Sequence, residues 1–461
     1  MRQADRQHED DAGGEASGGD GVRMVVNEAS AKYLVPQFKR TEAGDIPMDW
    51  VDTPIGAIAE VTSGGTPSRK VPAFWSGDIP WVTTAELDCG EIKEASQFIT
   101  TAGLQSSAAK WLPAGTLLVA LYGQGKTRGK CAALRIAATT NQACAAIKLA
   151  DVVDSDFVRH NLAHRYEYIR SLSNGGSQEN LSGAIIKQIR VGMPPARTEQ
   201  HAIAKALTDA DALIDSLEQL LTKKRQIKQG AMQELLTGKR RLLGFSRTNT
   251  NGDALLPSDW EPQAIGDFAE VKTGPFGSAL HERDYVQSGI PIITVEHLAE
   301  RGIQGEGAPQ VGEGDLSRLQ AYKLEESDIV FSRVGSIDRN ARVSAAEVGW
   351  LFSGRLLRLR LKSKEVDSQF LSYLFHGEPF RNQVERVAVG QTMASLNTKL
   401  LSGLEVVLPT VAEQKAIAES LASMDTDLTA LEARLSKARA LKQAMAQALL
   451  TGRIRLVEGA A

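Results

Sequence analysis

The sequence predicts an α+β protein of two tandem domains, each built of mixed strands and few helices. Two long helices separate and follow them, pairing as an antiparallel coiled coil with pseudo-two-fold symmetry. Three observations predict this: an internal duplication, short β-rich runs in both copies, and a heptad seam in both helices. The duplication is plainest at Ile46-Pro47-Met48-Asp49-Trp50, which returns as Leu256-Pro257-Ser258-Asp259-Trp260 at an offset of 210. The offset is 211 at Ile79-Pro80/Ile290-Pro291, 212 at Gly123/Gly335 and 213 at Phe157/Phe370. It settles at 214 through Glu199-Gln200/Glu413-Gln414 and the Leu-Leu-Thr-Gly repeats ending at Gly238 and Gly452. A period of that size marks duplicated domains rather than the short stacked units of a solenoid.

Residues 1–45 form a polar tail and entry segment. As far as residue 35 it carries Gly13-Gly14, Gly18-Gly19 and Asp10-Asp11 with little apolar periodicity, so it reads as disordered. Met24 offers an alternative start. The first domain is expected over 46–196. There 79–84, 117–122, 131–136 and 145–149 read as strands, and 155–171 as a helix with Phe157, Leu162, Tyr166 and Ile169 near one face. The second domain, 255–410, repeats the order with strands at 290–295, 328–332 and 356–361 and a helix around 369–387.

The spacer helices are expected in segments 197–254 and 411–461, over 199–236 and 413–450. In the second, Ile417, Leu421, Met424, Leu428, Leu431, Leu435, Ala438, Met445 and Leu449 alternate 4-and-3 spacing, broken by Lys442. The first matches with Ile203, Leu207, Ala210, Ile214, Leu217, Leu221, Ala231 and Leu235, broken by Lys224 and Lys228. So narrow a stripe prefers a helical partner to a sheet. Thr410 and Glu413 have the spacing of a capping box. Each helix would run about 57 Å, placing the two domains at opposite ends of a rod.

Hydrophobic content of 42% and charged content of 24% are those of an ordinary globular protein. No apolar run approaches the roughly 20 residues of a membrane span, and no signal-peptide core opens the chain. Three cysteines, Cys89, Cys131 and Cys144, form no C-x-x-C pair and read as reduced thiols of a cytoplasmic protein. Net charge is −3, but residues 1–45 alone hold nine acids against six bases, so the remainder is neutral. Contacts to a polyanion would therefore come from local patches, not from a global field.

No catalytic constellation emerges. The segment from Ala120 to Thr127, Ala-Leu-Tyr-Gly-Gln-Gly-Lys-Thr, fits a relaxed P-loop. A P-loop needs a helix next, and residues 128–136 read as a turn and a strand. Asp78 with Glu91 and Lys93 mimics a metal-nuclease spacing, but the second copy does not keep it, and solvated charges at strand ends explain it as well. His160 and His164 stand one helical turn apart without a third ligand and read as surface histidines; no metal site is expected. No Asn-Pro-Pro-aromatic tetrapeptide and no nucleophile elbow occurs.

What recurs is a set of loop donors and acceptors suited to base edges and phosphates. In the first copy these are Thr66, Ser68, Arg69, Thr83, Thr84, Gln124, Lys126, Arg128, Ser177, Gln178 and Asn180. In the second they are Lys272, Phe276, Ser278, Glu296, His297, Arg333, Ser336, Arg339, Gln391 and Thr392. Loops are polar anyway, so each is weak alone. Their return at matching positions with different residues is what carries weight.

From about Phe38 onward the chain resembles the specificity subunit of type I restriction–modification systems. The entry segment Lys39-Arg40-Thr41-Glu42-Ala43-Gly44-Asp45-Ile46-Pro47 and Asp49-Trp50 resembles the entry to that family's first target-recognition domain. Gly64-Gly65-Thr66-Pro67-Ser68 with Gly77-Asp78-Ile79-Pro80-Trp81-Val82 is similar to one class of such domain, and Gly274-Pro275-Phe276-Gly277-Ser278-Ala279-Leu280 to another. Pro194-Pro195, both Glu-Gln pairs and both Leu-Leu-Thr-Gly repeats resemble its helical spacers. The long acidic tail departs from the pattern, as does Thr410, where the family often has a second proline.

The resemblance implies a non-catalytic subunit binding an asymmetric, bipartite double-stranded DNA target, one half-site per domain. It implies two modification subunits that bind S-adenosylmethionine and methylate adenine, and two ATP-driven restriction subunits, which would also bring magnesium. No cofactor would belong to this chain. The alternatives are a nucleotide-binding protein acting through the Ala120–Thr127 segment, a self-contained metal nuclease, or a coiled-coil scaffold without DNA affinity.

Overall fold

The computed structural model describes residues 37–88, 90–123, 126–172, 180–245, 257, 259–275, 280, 284–388 and 395–456. The expected disordered tail lies outside them. The chain divides into two compact units, 1–200 with 448–461, and 201–447.

In the first unit the sheet strands are β1 (Ala59–Ser63), β2 (Trp75–Val82), β3 (Leu117–Ala120), β4 (Cys131–Leu134) and β5 (Cys144–Leu149). The main sheet runs β1-β5-β3-β4, antiparallel throughout, with Glu91–Ile92 parallel on the far edge of β4. β2 lies in a smaller sheet between Thr139–Thr140 and Gln97–Ile99. Every residue of β3 and β4 is buried, which is why those runs are continuously apolar instead of alternating. Cys131 and Cys144 sit within this sheet as buried thiols that are not joined in a disulfide.

Helix α1 (Ser155–His164) is capped by Asp154, whose carboxylate accepts from Phe157 N at 2.9 Å, and it sends Phe157 against Trp50. The single helix expected over 155–171 is interrupted. Arg165 leaves helical geometry with φ −98° and ψ 20°, its guanidinium bonded to the Arg190 carbonyl, and α2 (Tyr166–Ser171) starts afresh. The first spacer helix, α3 (Arg197–Leu235), follows.

The second unit repeats this plan. Strands β6 (Ala269–Thr273), β7 (Ile290–Ile293), β8 (Ile329–Ser332), β9 (Asn340–Arg342) and β10 (Leu356–Leu361) include a sheet ordered β6-β10-β8-β9, the counterpart of β1-β5-β3-β4. The expected helix around 369–387 is again two, α4 (Ser368–His376) and α5 (Glu378–Ala388). Here Gly377, extended at ψ 144°, and Pro379 in the first turn of α5 make the break. Phe331, Phe375 and Phe380 pack edge to face or tilted, their centroids 4.4–6.3 Å apart, beneath it.

The second spacer helix is α6 (Val411–Leu450). Within the second unit α3 and α6 pair antiparallel through Leu217 and Leu221 against Leu428, Leu431 and Leu435, with Ile214 and Ala438 alongside. The seam is shorter than its heptads suggest. Ala231, Leu235, Ile417, Leu421 and Met424 join the core that contains Trp260 and Phe370, where a domain offers a broader apolar surface than a single helix.

The polar breaks in the seam are paired. Lys224 meets Asp427 at 2.9 Å, Lys442 meets Asp211, and buried Lys228 meets Asp425 at 2.8 Å and Glu300 at 3.1 Å. Tyr373 donates its hydroxyl to Asp425 at 2.8 Å; burial, and then this carboxylate, raise the phenol above its ordinary value.

The repeated Glu-Gln and Leu-Leu-Thr-Gly motifs acquire a physical meaning. Gln200 accepts from Asp154 N at 3.0 Å and donates to the Pro194 carbonyl at 3.0 Å; Gln414 does the same with Asp367 and Pro409, both at 2.8 Å. Gly238 (φ +69°) and Gly452 (φ +68°) end their helices in left-handed geometry, where a Cβ would collide with Pro257 and Pro47 respectively. The expected capping box is half made. Glu413 N reaches Thr410 Oγ1 at 3.4 Å, but the Glu413 carboxylate is bound through both oxygens by Arg241, a stronger charged donor than a backbone N–H.

Candidate nucleic-acid interface

The sheet order brings loops distant in sequence to one end of each domain. In the first unit the Gly64-Gly65 turn after β1 lies on the Thr140–Gln142 turn before β5, with Gly65 N donating to the Thr140 carbonyl at 2.9 Å. Leu121, leaving β3, donates to the Ala143 carbonyl at 2.8 Å, and Leu181 returns to the Leu121 carbonyl at 3.0 Å. In the second unit Gly274 donates to the Leu356 carbonyl, Arg333 to that of Arg355, and Leu396 to that of Arg333. Strand pairing thus gathers the candidate loops of each copy at the same edge of the sheet.

That edge carries a hairpin turn in each unit. Residues 121–130 join β3 to β4, and residues 333–339 join β8 to β9. The relaxed P-loop is therefore the turn of an antiparallel hairpin. Turn residues 126–129 and then β4 follow where a phosphate-binding helix would have to start, so the helix N-terminus that such a cradle uses is not there. Lys126 is exposed. Arg128 is not: it is buried, with Nη2 donating to the Arg170 carbonyl at 3.5 Å, and so braces the turn from beneath. In the second hairpin Ser336 and Arg339 are exposed around Gly335 (φ +79°), Arg333 is half-buried, and Ile337 is buried as the anchor of the turn.

A basic and aromatic cluster beside the first hairpin was not legible in the sequence. Tyr122 and Tyr168 are 43% and 45% exposed, far above what such rings show in a core. Arg165 lies over the Tyr168 ring at 4.6 Å and Arg170 over that of Tyr166 at 5.9 Å. Burial lowers the Arg165 guanidinium from its ordinary value without discharging it. An arginine stacked on an exposed ring, as Arg165 is on Tyr168, offers both a charge for phosphate and a flat face for a base. The only sequence signal was Tyr-x-Tyr on a helix, which reads equally as core.

The other first-copy candidates divide between surface and scaffold. Arg69 is exposed and pre-set: its guanidinium lies 3.8 Å over the Trp75 ring and donates to Gln97 Oε1 at 2.7 Å. Ser68 is exposed beside it, and half-buried Thr66 bonds Gln142 at 2.5 Å. Thr83 is a cap, its N and hydroxyl both bonded to Glu86, and Thr84 opens the short turn that follows. Asn180 is half-buried. Gln124, Ser177 and Gln178 lie outside the described residues.

In the second copy Lys272 Nζ lies 5.0 Å over the Tyr322 ring. Glu296 is exposed but accepts from the Thr294 hydroxyl at 2.9 Å. His297 is buried and caps its own turn, Nδ1 accepting from Thr294 N at 3.0 Å, so it is not presented at the surface as expected. Phe276, Ser278, Gln391 and Thr392 lie outside the described residues.

The decoy sites resolve into structural roles. Glu91 is bound by Lys93 at 3.1 Å and Arg135 at 2.6 Å. His160 is buried, not on the surface, with Nε2 2.9 Å from Arg159. Among the described residues no cluster of His, Cys, Asp or Glu could hold a metal ion, and no helix is long and apolar enough to cross a membrane.

Comparison with known proteins agrees with this architecture. The family model of the type I restriction modification DNA specificity domain matches residues 47–229 and again 257–438. The MjaIX specificity subunit of Methanocaldococcus jannaschii is 28% identical over 67% of this chain and 71% of its own length. The MjaVIII specificity subunit of the same organism is 22% identical over 92% and 97%, and the EcoKI specificity subunit of Escherichia coli K12 is 23% identical over 88% and 89%. The crystal structure of the type I restriction–modification S subunit from M. genitalium superposes with a TM-score of 0.57 at 16% identity, over 92% of this chain and 100% of that one. With a doubled domain, a doubled spacer helix and a family match to both copies, this chain belongs to the specificity subunits of type I restriction–modification systems, their non-catalytic DNA-recognition component.

Proposed function

We propose that this chain reads an asymmetric, bipartite double-stranded DNA target, one half-site per domain, and that the paired spacer helices set the unread gap. The observation that carries this is the pair of hairpin turns. They occupy the same place on equivalent sheets but display different groups, Lys126 in one and Ser336 with Arg339 in the other. Equivalent placement implies equivalent use, and different side chains imply different bases. Arg69 on its Trp75 platform adds a donor suited to guanine, and the tyrosines add stacking.

Two modification subunits binding S-adenosylmethionine would methylate adenine in that target, extruding the base themselves. Two ATP-driven, magnesium-dependent restriction subunits would complete the complex. Leu213, Leu220 and Ile227, exposed at seven-residue spacing on α3, form a row suited to a partner helix. The cytoplasm, where that DNA and those partners meet, is the expected site of action. The test is methylome sequencing of the host with and without this gene. One two-part motif should lose methylation when the gene is deleted; an unchanged methylome in a host with active modification subunits would overturn the reading.

A further inference from the structure

Each hairpin turn is tied to the second helix of the pair that follows its sheet, and the two ties use different chemistry. In the first unit the Tyr166 hydroxyl donates to the Lys126 carbonyl at 2.6 Å, and Arg170 Nη1 donates to that hydroxyl at 3.0 Å. Arg128 Nη2 returns from the turn to the Arg170 carbonyl at 3.5 Å. This circuit leaves α2, passes through the turn and comes back to α2. Gly129, whose φ of +84° suits glycine, lies against that helix: a Cβ there would be in ordinary contact with Arg170 N at 3.6 Å. In the second unit the tie is ionic. Arg381 on α5 places Nη2 3.8 Å from Asp338, the residue before exposed Arg339. Asp338 and Lys126 are matching positions at the local offset of 212.

We infer that Tyr166 and Arg381 are positioning residues for target reading: they hold the exposed groups of the two turns in one place, each for its own half-site. This rests on the proposal that the turns face DNA. An untethered turn would still bring positive charge to phosphate, so non-specific binding would survive its loss. Discrimination between bases would not, because a bidentate or single donor distinguishes a base edge only when held at hydrogen-bond distance and angle. Neither Tyr166 nor Arg381 need touch DNA for this.

The experiment uses the full chain assembled with its modification subunits. It measures binding to the cognate duplex and to duplexes with one base pair changed in either half-site. Tyr166→Phe removes one oxygen and keeps the ring. It should narrow discrimination at the first half-site about fivefold, the worth of one ordinary hydrogen bond, with the second half-site and the thermal midpoint unchanged. Arg381→Ala should narrow discrimination at the second half-site alone, by about twofold because the pair is half-exposed, and Arg381→Lys should restore most of it. Equal losses at both half-sites, or a loss that follows a lowered thermal midpoint, would reduce these residues to a structural role and overturn the inference. So would unchanged discrimination in Tyr166→Phe where Lys126→Ala weakens binding. If Lys126→Ala and Arg339→Ala are also silent, the turns do not face DNA, and the proposal beneath the inference fails with it.

Discussion

Arg241 and Arg455 occupy the same place in the two units, and each grips two carboxylates with one guanidinium. Arg241 holds Glu413 at 2.6 and 2.5 Å and Asp259 at 2.9 and 3.0 Å. Arg455 holds Glu199 at 2.5 and 2.8 Å and Asp49 at 2.9 and 2.8 Å. Each cluster joins the turn at the entry to a domain, the first turn of a spacer helix and the segment just past a Leu-Leu-Thr-Gly repeat. The hydrogen bonds from the arginines hold Asp49 and Asp259 below the usual carboxylate range.

Arg241→Ala should destabilise the second unit by roughly 3 kcal/mol or more, because Glu413 would remain fully buried with its charge uncompensated. Denaturant unfolding of the full chain measures it. Arg241→Ala combined with Glu413→Gln should recover part of the loss. A single substitution costing under about 1 kcal/mol would mean that the buried carboxylate finds another partner.

His376 gives a pH dependence of defined sign. Burial pulls its imidazole from 6.5 to about 4, and its Nε2 is buried with no hydrogen-bond partner. The folded chain therefore keeps it neutral while the unfolded chain takes up a proton first. Its contribution is intact above about pH 6.5 and is lost as pH falls toward 4, by roughly 3 kcal/mol at the acid end. Thermal midpoints between pH 7 and pH 4.5 should fall less steeply in His376→Gln than in the natural chain; parallel curves would place the acid sensitivity elsewhere.

Much of this was legible in the sequence, and the failures have physical causes. The Leu217–Leu435 seam and the β3 and β8 runs announce themselves because burial imposes a period or an unbroken apolar run. The break at Gly377 and Pro379 could have been read, since both residues end helices. The break at Arg165 could not, because nothing local forbids a helix there and the cause is a carbonyl 25 residues away in sequence. Arg128 and His297 were misplaced for a related reason: a polar residue type does not reveal whether its partner is a neighbouring backbone or a ligand. The tie from Tyr166 to Lys126 spans 40 residues and exists only once the sheet is assembled.

Replacing residues 256–409 with the corresponding domain of another family member should change one half of the methylated motif and leave the other intact. The candidate loops in each unit are carried by that unit's own strands and helices. Methylome sequencing decides it, and a simultaneous change in both halves would show that the domains do not read independently.

Inserting four residues after Leu221 should lengthen the unread gap by about two base pairs without changing either half-site. Four residues add about 6 Å and close to one full helical turn, against about 3.4 Å per base pair. Some stability should be lost because α6 has no matching insertion. An active variant with the original gap would show that the helices are not the ruler.

The lysines set into the α3–α6 seam have a consequence for how such a protein can change. Leucines alone would let two helices slip by a heptad at little cost, as one rung resembles the next. Lys224 on Asp427 and Lys228 on Asp425 remove that freedom. A slip of seven residues one way would set Lys224 against Arg434, with Lys228 then facing Glu432, and the other way would set Lys228 against Ala418 and Lys224 against Ser420, neither of them an acid. The alignment is keyed like a lock with one tooth pattern. Under the proposed ruler role, a new span comes more readily from residues gained or lost in a spacer than from one helix sliding along the other.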